Sequence, residues 1–202
     1  MNDPDDRTIS SIGPVWRELW GRVWHLTRPD RFLHILDDRL LKPEPDIPDN
    51  ERWGTGLGPS HYPYVRSISG VSLFDFRDFN PDSYQEEYTQ SNWYSFVPFP
   101  KHWAGAVWIE FDPEDVKGNF ISGSQLVADW KSSASYCRKI MPHIEAAHIG
   151  LLPLDLARRF IFIRQRDDGD FYSWENQIFD RTAYEALQSE WKEDYDIARK
   201  SI

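Results

Sequence analysis

With a single cysteine in 202 residues, the chain cannot form an intrachain disulfide, so Cys137 is a free thiol and no covalent staple helps the fold. No stretch approaches the roughly 18 uninterrupted apolar residues that a membrane-spanning helix needs. The acidic start Met1-Asn2-Asp3-Pro4-Asp5-Asp6 also lacks the basic-then-apolar order of a secretory signal. These absences predict a soluble, cytoplasmic chain with no membrane partner. Basic residues are scarce as well: 23 Lys and Arg against 33 Asp and Glu leave a net charge of -10. That excludes broad, sequence-independent adhesion to nucleic acid, because neutralising phosphates takes clustered cations, although a local basic groove stays compatible with it. The cysteine pairs of structural zinc are missing, and His143 and His148 stand five apart rather than the four that sets two histidines on one helical face. Neither Ser72 nor Cys137 lies in a G-x-S-x-G elbow, which speaks against a serine- or cysteine-hydrolase reading.

What the chain has in abundance is aromatic surface. Ten tryptophans and 15% aromatic residues exceed what a small core requires, which predicts that some rings line a cleft and stack on a planar ligand. The length suits one domain, expected over residues 14–202 behind a flexible N-terminus at 1–13. Pro14 to Trp24 reads as a short amphipathic helix running into a first strand at Val23-Trp24-His25. Thr27 is placed to cap a second helix, with Pro29 in its first turn and Phe32, Leu33, Ile35, Leu36 and Leu40 on one face. Residues 42–63 form a long loop, expected to be a lid, a binding loop or disordered. Its Trp53-Gly54-Thr55-Gly56-Leu57-Gly58 is glycine-rich but has no strand before it and no helix after it, so the dinucleotide fingerprint fails on context.

Further along, a second strand is predicted within Tyr64 to Phe76 and a short helix within Arg77 to Gln90. The buried strand Ala104 to Phe111 stops at Asp112-Pro113. Ile140 to Gly150 is a dense constellation around Glu145, followed by a helical turn at Leu154 to Arg158, a strand at Arg159 to Arg164 and a turn at Asp167-Asp168-Gly169-Asp170. A final helix is predicted over Thr182 to Lys200 with Thr182 as its cap. Strands and helices mix without βαβ regularity, which predicts an α+β fold with a mainly antiparallel sheet.

Two residues carry the chemical interest. His25 is a versatile side chain on the first strand. Glu145, set between Ile144 and two alanines, occupies an apolar context where an unpaired carboxylate costs several kcal/mol. It therefore needs a ligand, a catalytic role, or an arginine partner such as Arg138, Arg158 or Arg159.

Trp24-His25-Leu26-Thr27, followed by the helix Phe32 to Leu36 and then Arg39-Leu40-Leu41, resembles the opening of the ADP-ribosyltransferase-like fold. DNA-targeting ADP-ribosyltransferase toxins, poly-ADP-ribose-polymerase-like domains and RNA 2′-phosphotransferases share that opening. The segment Ile144-Glu145-Ala146-Ala147-His148-Ile149-Gly150 is similar to the one in which those toxins carry a catalytic glutamate. The resemblance implies a split sheet and NAD as substrate, with ADP-ribose passed to a macromolecular acceptor, protein or nucleic acid, in a toxin- or defence-like role. It implies catalytic roles for Glu145 and His25, and contacts to NAD from His25, Thr27 and Ser72, with Ser69 an equal candidate for the serine. Tyr64, Tyr62, Trp53 or Tyr94 would stack on nicotinamide, and Arg77 or Arg66 would pair with the pyrophosphate. The competing expectation is a non-catalytic immunity or regulatory protein whose acidic face engages a basic partner. It predicts no cleft joining His25 to Glu145.

Overall fold

A computed structural model describes residues 13–89, 91, 93–165 and 171–189. Its centre is a seven-stranded antiparallel sheet in the order β5-β6-β3-β1-β4-β8-β9. The strands are β1 (Val23–Thr27), β3 (Gly70–Asp75), β4 (Ala106–Phe111), β5 (Phe120–Ile121), β6 (Glu145–Ile149), β8 (Ala157–Gln165) and β9 (Phe171–Asn176). A separate two-stranded piece joins β2 (Leu40–Leu41) to β7 (Leu152–Pro153). Helices α1 (Gly13–Leu19), α2 (Pro29–Asp38), α3 (Tyr64–Ser67), α4 (Pro81–Glu87) and α5 (Gly123–Ser132) surround it, and residues 181–189 are helical. The architecture is α+β with a mostly antiparallel sheet, as composition and pattern predict. Among the described residues, no helix is long and apolar enough to cross a membrane.

The sheet is buried on both faces. One face carries Trp24, Phe74, Trp108 and Ile161 and is covered by the aromatic segment from Phe76 to Phe99, together with Trp16 and Leu19 of α1. The other carries Val23, Leu73, Ile109, Phe160 and Phe162, against which α2 lays Phe32 and Leu36. β4 lies between β1 and β8 with all six of its side chains buried, so its near-continuous apolar run is the pattern a strand covered on both faces requires. Most of the aromatic surplus is absorbed here. Trp16, Phe76, Phe79 and Trp93 meet edge-on or tilted at 4.9–5.6 Å between ring centroids.

Several local expectations change. Thr27 does not cap α2; it is the last residue of β1, and Arg28 occupies the N-cap position without a side-chain cap bond. The helix ends at Asp38, not near Leu41, because Arg39 turns left-handed (φ 55°) and sends Leu40 and Leu41 into pairing with Pro153 and Leu152. Tyr64 is helical rather than extended, so the second strand begins only at Gly70. The last helix is capped by Asp180, whose side chain accepts from the Ala183 amide at 3.0 Å, and Thr182 lies inside it. The predicted reach of that helix past residue 189, the N-terminal residues 1–12 and the 167–170 turn lie outside the described residues. The stretch between Asp112 and Arg138 holds β5 and α5, which carry too little apolar periodicity to stand out.

A candidate active-site cleft where the sheet opens

β1 stays paired with β4 from Val23 to Thr27, but its pairing with β3 consists of Val23 with Asp75 and Trp24 with Phe74. Beyond Trp24 the two central strands part. Side-chain alternation then decides what faces the gap. Phe74 pairs with both Trp24 and Glu145, so these share a face, and Ser72, two residues from Phe74, shares it too. By alternation His25 belongs to the opposite face. In a continuous sheet it would be separated from Glu145 by the strands themselves. Because the sheet opens at His25, the imidazole instead turns toward β3, and its Nδ1–H donates to the Ser72 carbonyl at 2.9 Å, in place of a ladder bond between the strands.

That single bond fixes the chemistry of His25. With the proton on Nδ1, Nε2 carries the lone pair, and it has no protein partner among the described residues. Burial lowers the His25 pKa to about 4, against which the Ser72 carbonyl pulls upward, so the ring is neutral at pH 7. His25 is thereby a hydrogen-bond acceptor aimed at whatever enters the gap.

Glu145 opens β6 and is 1% exposed. Its backbone is locked by a reciprocal pair: the Glu145 amide donates to the Met141 carbonyl at 2.9 Å, and the Met141 amide donates to Glu145 Oε2 at 3.1 Å. Ser72 Oγ–H donates to Oε1 at 3.1 Å. The approach to this turn is tight. A Cβ on Gly123, at the start of α5, would come within 2.0 Å of the His143 carbonyl oxygen, so only glycine lets α5 pack there. Among the described residues no arginine or lysine pairs with the carboxylate, which leaves Arg138, Arg158 and Arg159 out of that role. Burial pushes the Glu145 pKa up to about 7, against the downward pull of the Met141 amide and the Ser72 hydroxyl.

His25, Thr27, Ser72 and Glu145 all line one cavity of about 1750 Å³, roofed in part by the 42–63 loop and bordered by Tyr94, Phe96 and Trp103. Thr27 is buried at its wall. The cavity exceeds the roughly 300–1,000 Å³ common for small-molecule sites. Compared with known proteins, the chain matches no family model and no curated protein.

The remaining candidates separate by position. Tyr64 packs in a small cluster with Val65, Leu126 and Ala147 and is not on the cleft wall, which removes it as a stacking residue. Arg77 is off the wall too; Asp75 binds its guanidinium through two bonds of 2.8 Å. Arg66 reaches the wall, but Glu44 and Asp49 occupy its guanidinium, and Tyr62 lies beneath it. Ser69 is on the turn before β3, also off the wall. Trp53 and Tyr94 do line the cleft. Ser72 forms no Ser-His pair, since His25 bonds its carbonyl and not its hydroxyl. Among the described residues no group of three or more His, Cys, Asp or Glu is placed to hold a metal ion. The loop Trp53-Gly54-Thr55 lines the cleft without being a phosphate loop, and the backbone donor of Met141 is a site feature that no side-chain pattern announces.

Proposed function

We propose that this protein is an NAD-dependent ADP-ribosyltransferase whose reaction runs in the gap between β1 and β3. The observation that carries the reading is that His25 and Glu145, on opposite faces by strand alternation, line one cavity because the sheet splits between them. The opening resembled in the sequence implies such a split sheet, and the runner-up, a non-catalytic acidic interaction protein, predicts no cleft joining the two residues.

The residues suit the chemistry. Neutral His25 offers Nε2 to a ribose hydroxyl. Glu145 uses one lone pair of each oxygen on Ser72 and Met141, which leaves others for a second ribose hydroxyl or for the acceptor. In the reaction the bond from ribose C1 to the nicotinamide nitrogen breaks, its electron pair leaves with nicotinamide, and the acceptor nucleophile forms the new bond to C1. Glu145, with a pKa near 7, takes the proton that the acceptor loses, and its negative charge stabilises the positive charge that builds on the ribose. A cavity larger than one small ligand fills leaves room for part of the acceptor beside NAD. The acceptor is a macromolecule, protein or nucleic acid.

The test is release of nicotinamide from labelled NAD by the purified protein. Wild type is expected to turn over, with a rate that rises with pH through about 7 as Glu145 ionises. Glu145→Gln is expected to lose about 10²–10⁴-fold in rate while still binding NAD. His25→Ala is expected to weaken NAD binding. A wild-type protein that neither binds NAD nor releases nicotinamide overturns the reading.

A further inference from the structure

We infer that Arg138 and Lys139, with the Trp53 ring beside Lys139, form a phosphate-binding subsite on the wall of the cleft. The inference rests on the nucleotide reading of the cleft for its choice of ligand, and on charge for its location.

The chain carries a net charge of -10, and most of its described cations have a carboxylate within ion-pair distance. On the cleft wall, Arg28, Arg31, Lys42, Arg52 and Arg66 are each within ion-pair distance of an aspartate or glutamate. Arg138 and Lys139 line the same wall and have no carboxylate within that distance among the described residues. Two adjacent cations left uncompensated in an acidic protein create a local positive field suited to an anion.

Their backbone is held in place before any ligand arrives. The Lys139 carbonyl accepts from the Tyr64 amide at 2.8 Å, the Arg138 carbonyl accepts from the Trp130 indole at 3.2 Å, and the Arg138 amide donates to the Ser135 carbonyl at 2.9 Å. The side chains themselves remain available. Arg138 donates only a long bond of 3.4 Å to the Pro59 carbonyl, and the Lys139 ammonium sits 5.9 Å from the centre of the Trp53 ring. Trp53 is 44% exposed, an aromatic face next to the Lys139 ammonium, and a ring beside a cation is how a ring-bearing phosphate is gripped. Arg138 adds the planar fork that matches phosphate oxygens.

The position also matters for register. Lys139 is two residues before Met141, whose amide holds the Glu145 carboxylate. A phosphate bound here is fixed relative to the reacting groups through a short, hydrogen-bonded segment. The phosphate has two possible sources, the pyrophosphate of the dinucleotide or a phosphodiester of a nucleic-acid acceptor, and both present the same group to the same cations.

The experiment compares wild type with the double variant Arg138→Ala/Lys139→Ala, using ADP-ribose, nicotinamide riboside and a labelled single-stranded oligonucleotide as probes in direct binding titrations. The double variant is expected to lose tenfold or more in affinity for a phosphate-bearing probe, to bind nicotinamide riboside as wild type does, and to melt at the wild-type temperature. The charge-keeping Lys139→Arg is expected to bind normally. Loss confined to ADP-ribose assigns the subsite to the dinucleotide, and loss confined to the oligonucleotide assigns it to the acceptor. Unchanged affinity of the double variant for both phosphate probes, or no binding of either by wild type, overturns the subsite. Oligonucleotide binding that depends on these two residues, in a protein that binds no NAD, would keep the subsite and sink the transferase reading.

Discussion

Two buried glutamates sit in one cross-strand row of the same sheet and have opposite surroundings. Reading across that row, Glu145 on β6 pairs with Phe74 on β3, Phe74 with Trp24 on β1, Trp24 with Glu110 on β4, and Glu110 with Arg159 on β8. Three strand spacings put the glutamates about 14 Å apart, with two aromatic rings between them. Glu110, 8% exposed, is clamped by Arg159 and by Arg22, the latter through bonds of 3.0 and 3.1 Å. Arg159 in turn lies over the Trp24 ring at 5.3 Å and reaches Glu175 at 2.6 Å. Glu145, more deeply buried, has among the described residues one hydroxyl, one amide and no cation. A charge that is paired and hydrogen-bonded belongs to the scaffold. A buried carboxylate left with neutral donors costs stability, and beside an open cleft that cost signals function.

The sharpest way to break this comparison is Glu110→Ala. Among the described residues it leaves Arg159 buried with only Glu175 and the more distant Glu18 as carboxylate partners, so a loss of about 3 kcal/mol is expected in denaturant unfolding, with ligand binding in the cleft unaffected. A change in ligand binding of tenfold or more would mean that the two glutamates are not separate sites.

Next in size is the response of stability to pH. The Glu145 pKa rises from 4.5 to about 7 on folding, so its burial is fully tolerated below pH 4.5, and that contribution is lost as pH rises through 7. The difference amounts to about 3 kcal/mol as an upper figure. Glu145→Gln should therefore gain stability over wild type at pH 8 but not at pH 4. His25 has the opposite sign: its pKa falls from 6.5 to about 4, so its contribution is full above pH 6.5 and is lost on acidification toward 4. With Glu145 neutralised, the acid side of the stability curve should belong to His25. A variant whose pH dependence between 4.5 and 8 matches wild type would refute the buried, unpaired carboxylate.

Smallest is Ser72→Ala. It removes the hydroxyl that favours the charged form of Glu145, so the carboxylate should titrate above its wild-type midpoint, followed by NMR of the labelled side chain, at a cost of about 1 kcal/mol at pH 8. An unchanged midpoint would show that Ser72 does not hold the carboxylate.

Parts of this molecule are legible in the chain. The apolar run at Ala106 to Phe111, the face of Phe32 and Leu36, and the strand around His25 follow from periodicity, and each forms as predicted. Glu145 is conspicuous for its apolar neighbours alone. Other parts are not legible. β9 and α5 carry short or polar patterns, and their places are set by pairing with β8 and by packing on β6. Tyr64, in a stretch with strand-like composition, is pulled into a helical turn between Pro63 and the left-handed Ser69.

Sequence by itself determined the class of fold and the two side chains worth watching, because burial and alternation are written locally. The tertiary structure decided their partners. Whether an arginine is available depends on which carboxylate long-range folding brings to it: Asp75 takes Arg77, Glu44 and Asp49 take Arg66, Glu110 takes Arg159, and on the cleft wall Arg138 and Lys139 have no carboxylate within ion-pair distance among the described residues. Whether His25 and Glu145 meet depends on where β1 leaves β3, since strand alternation alone puts them on opposite faces.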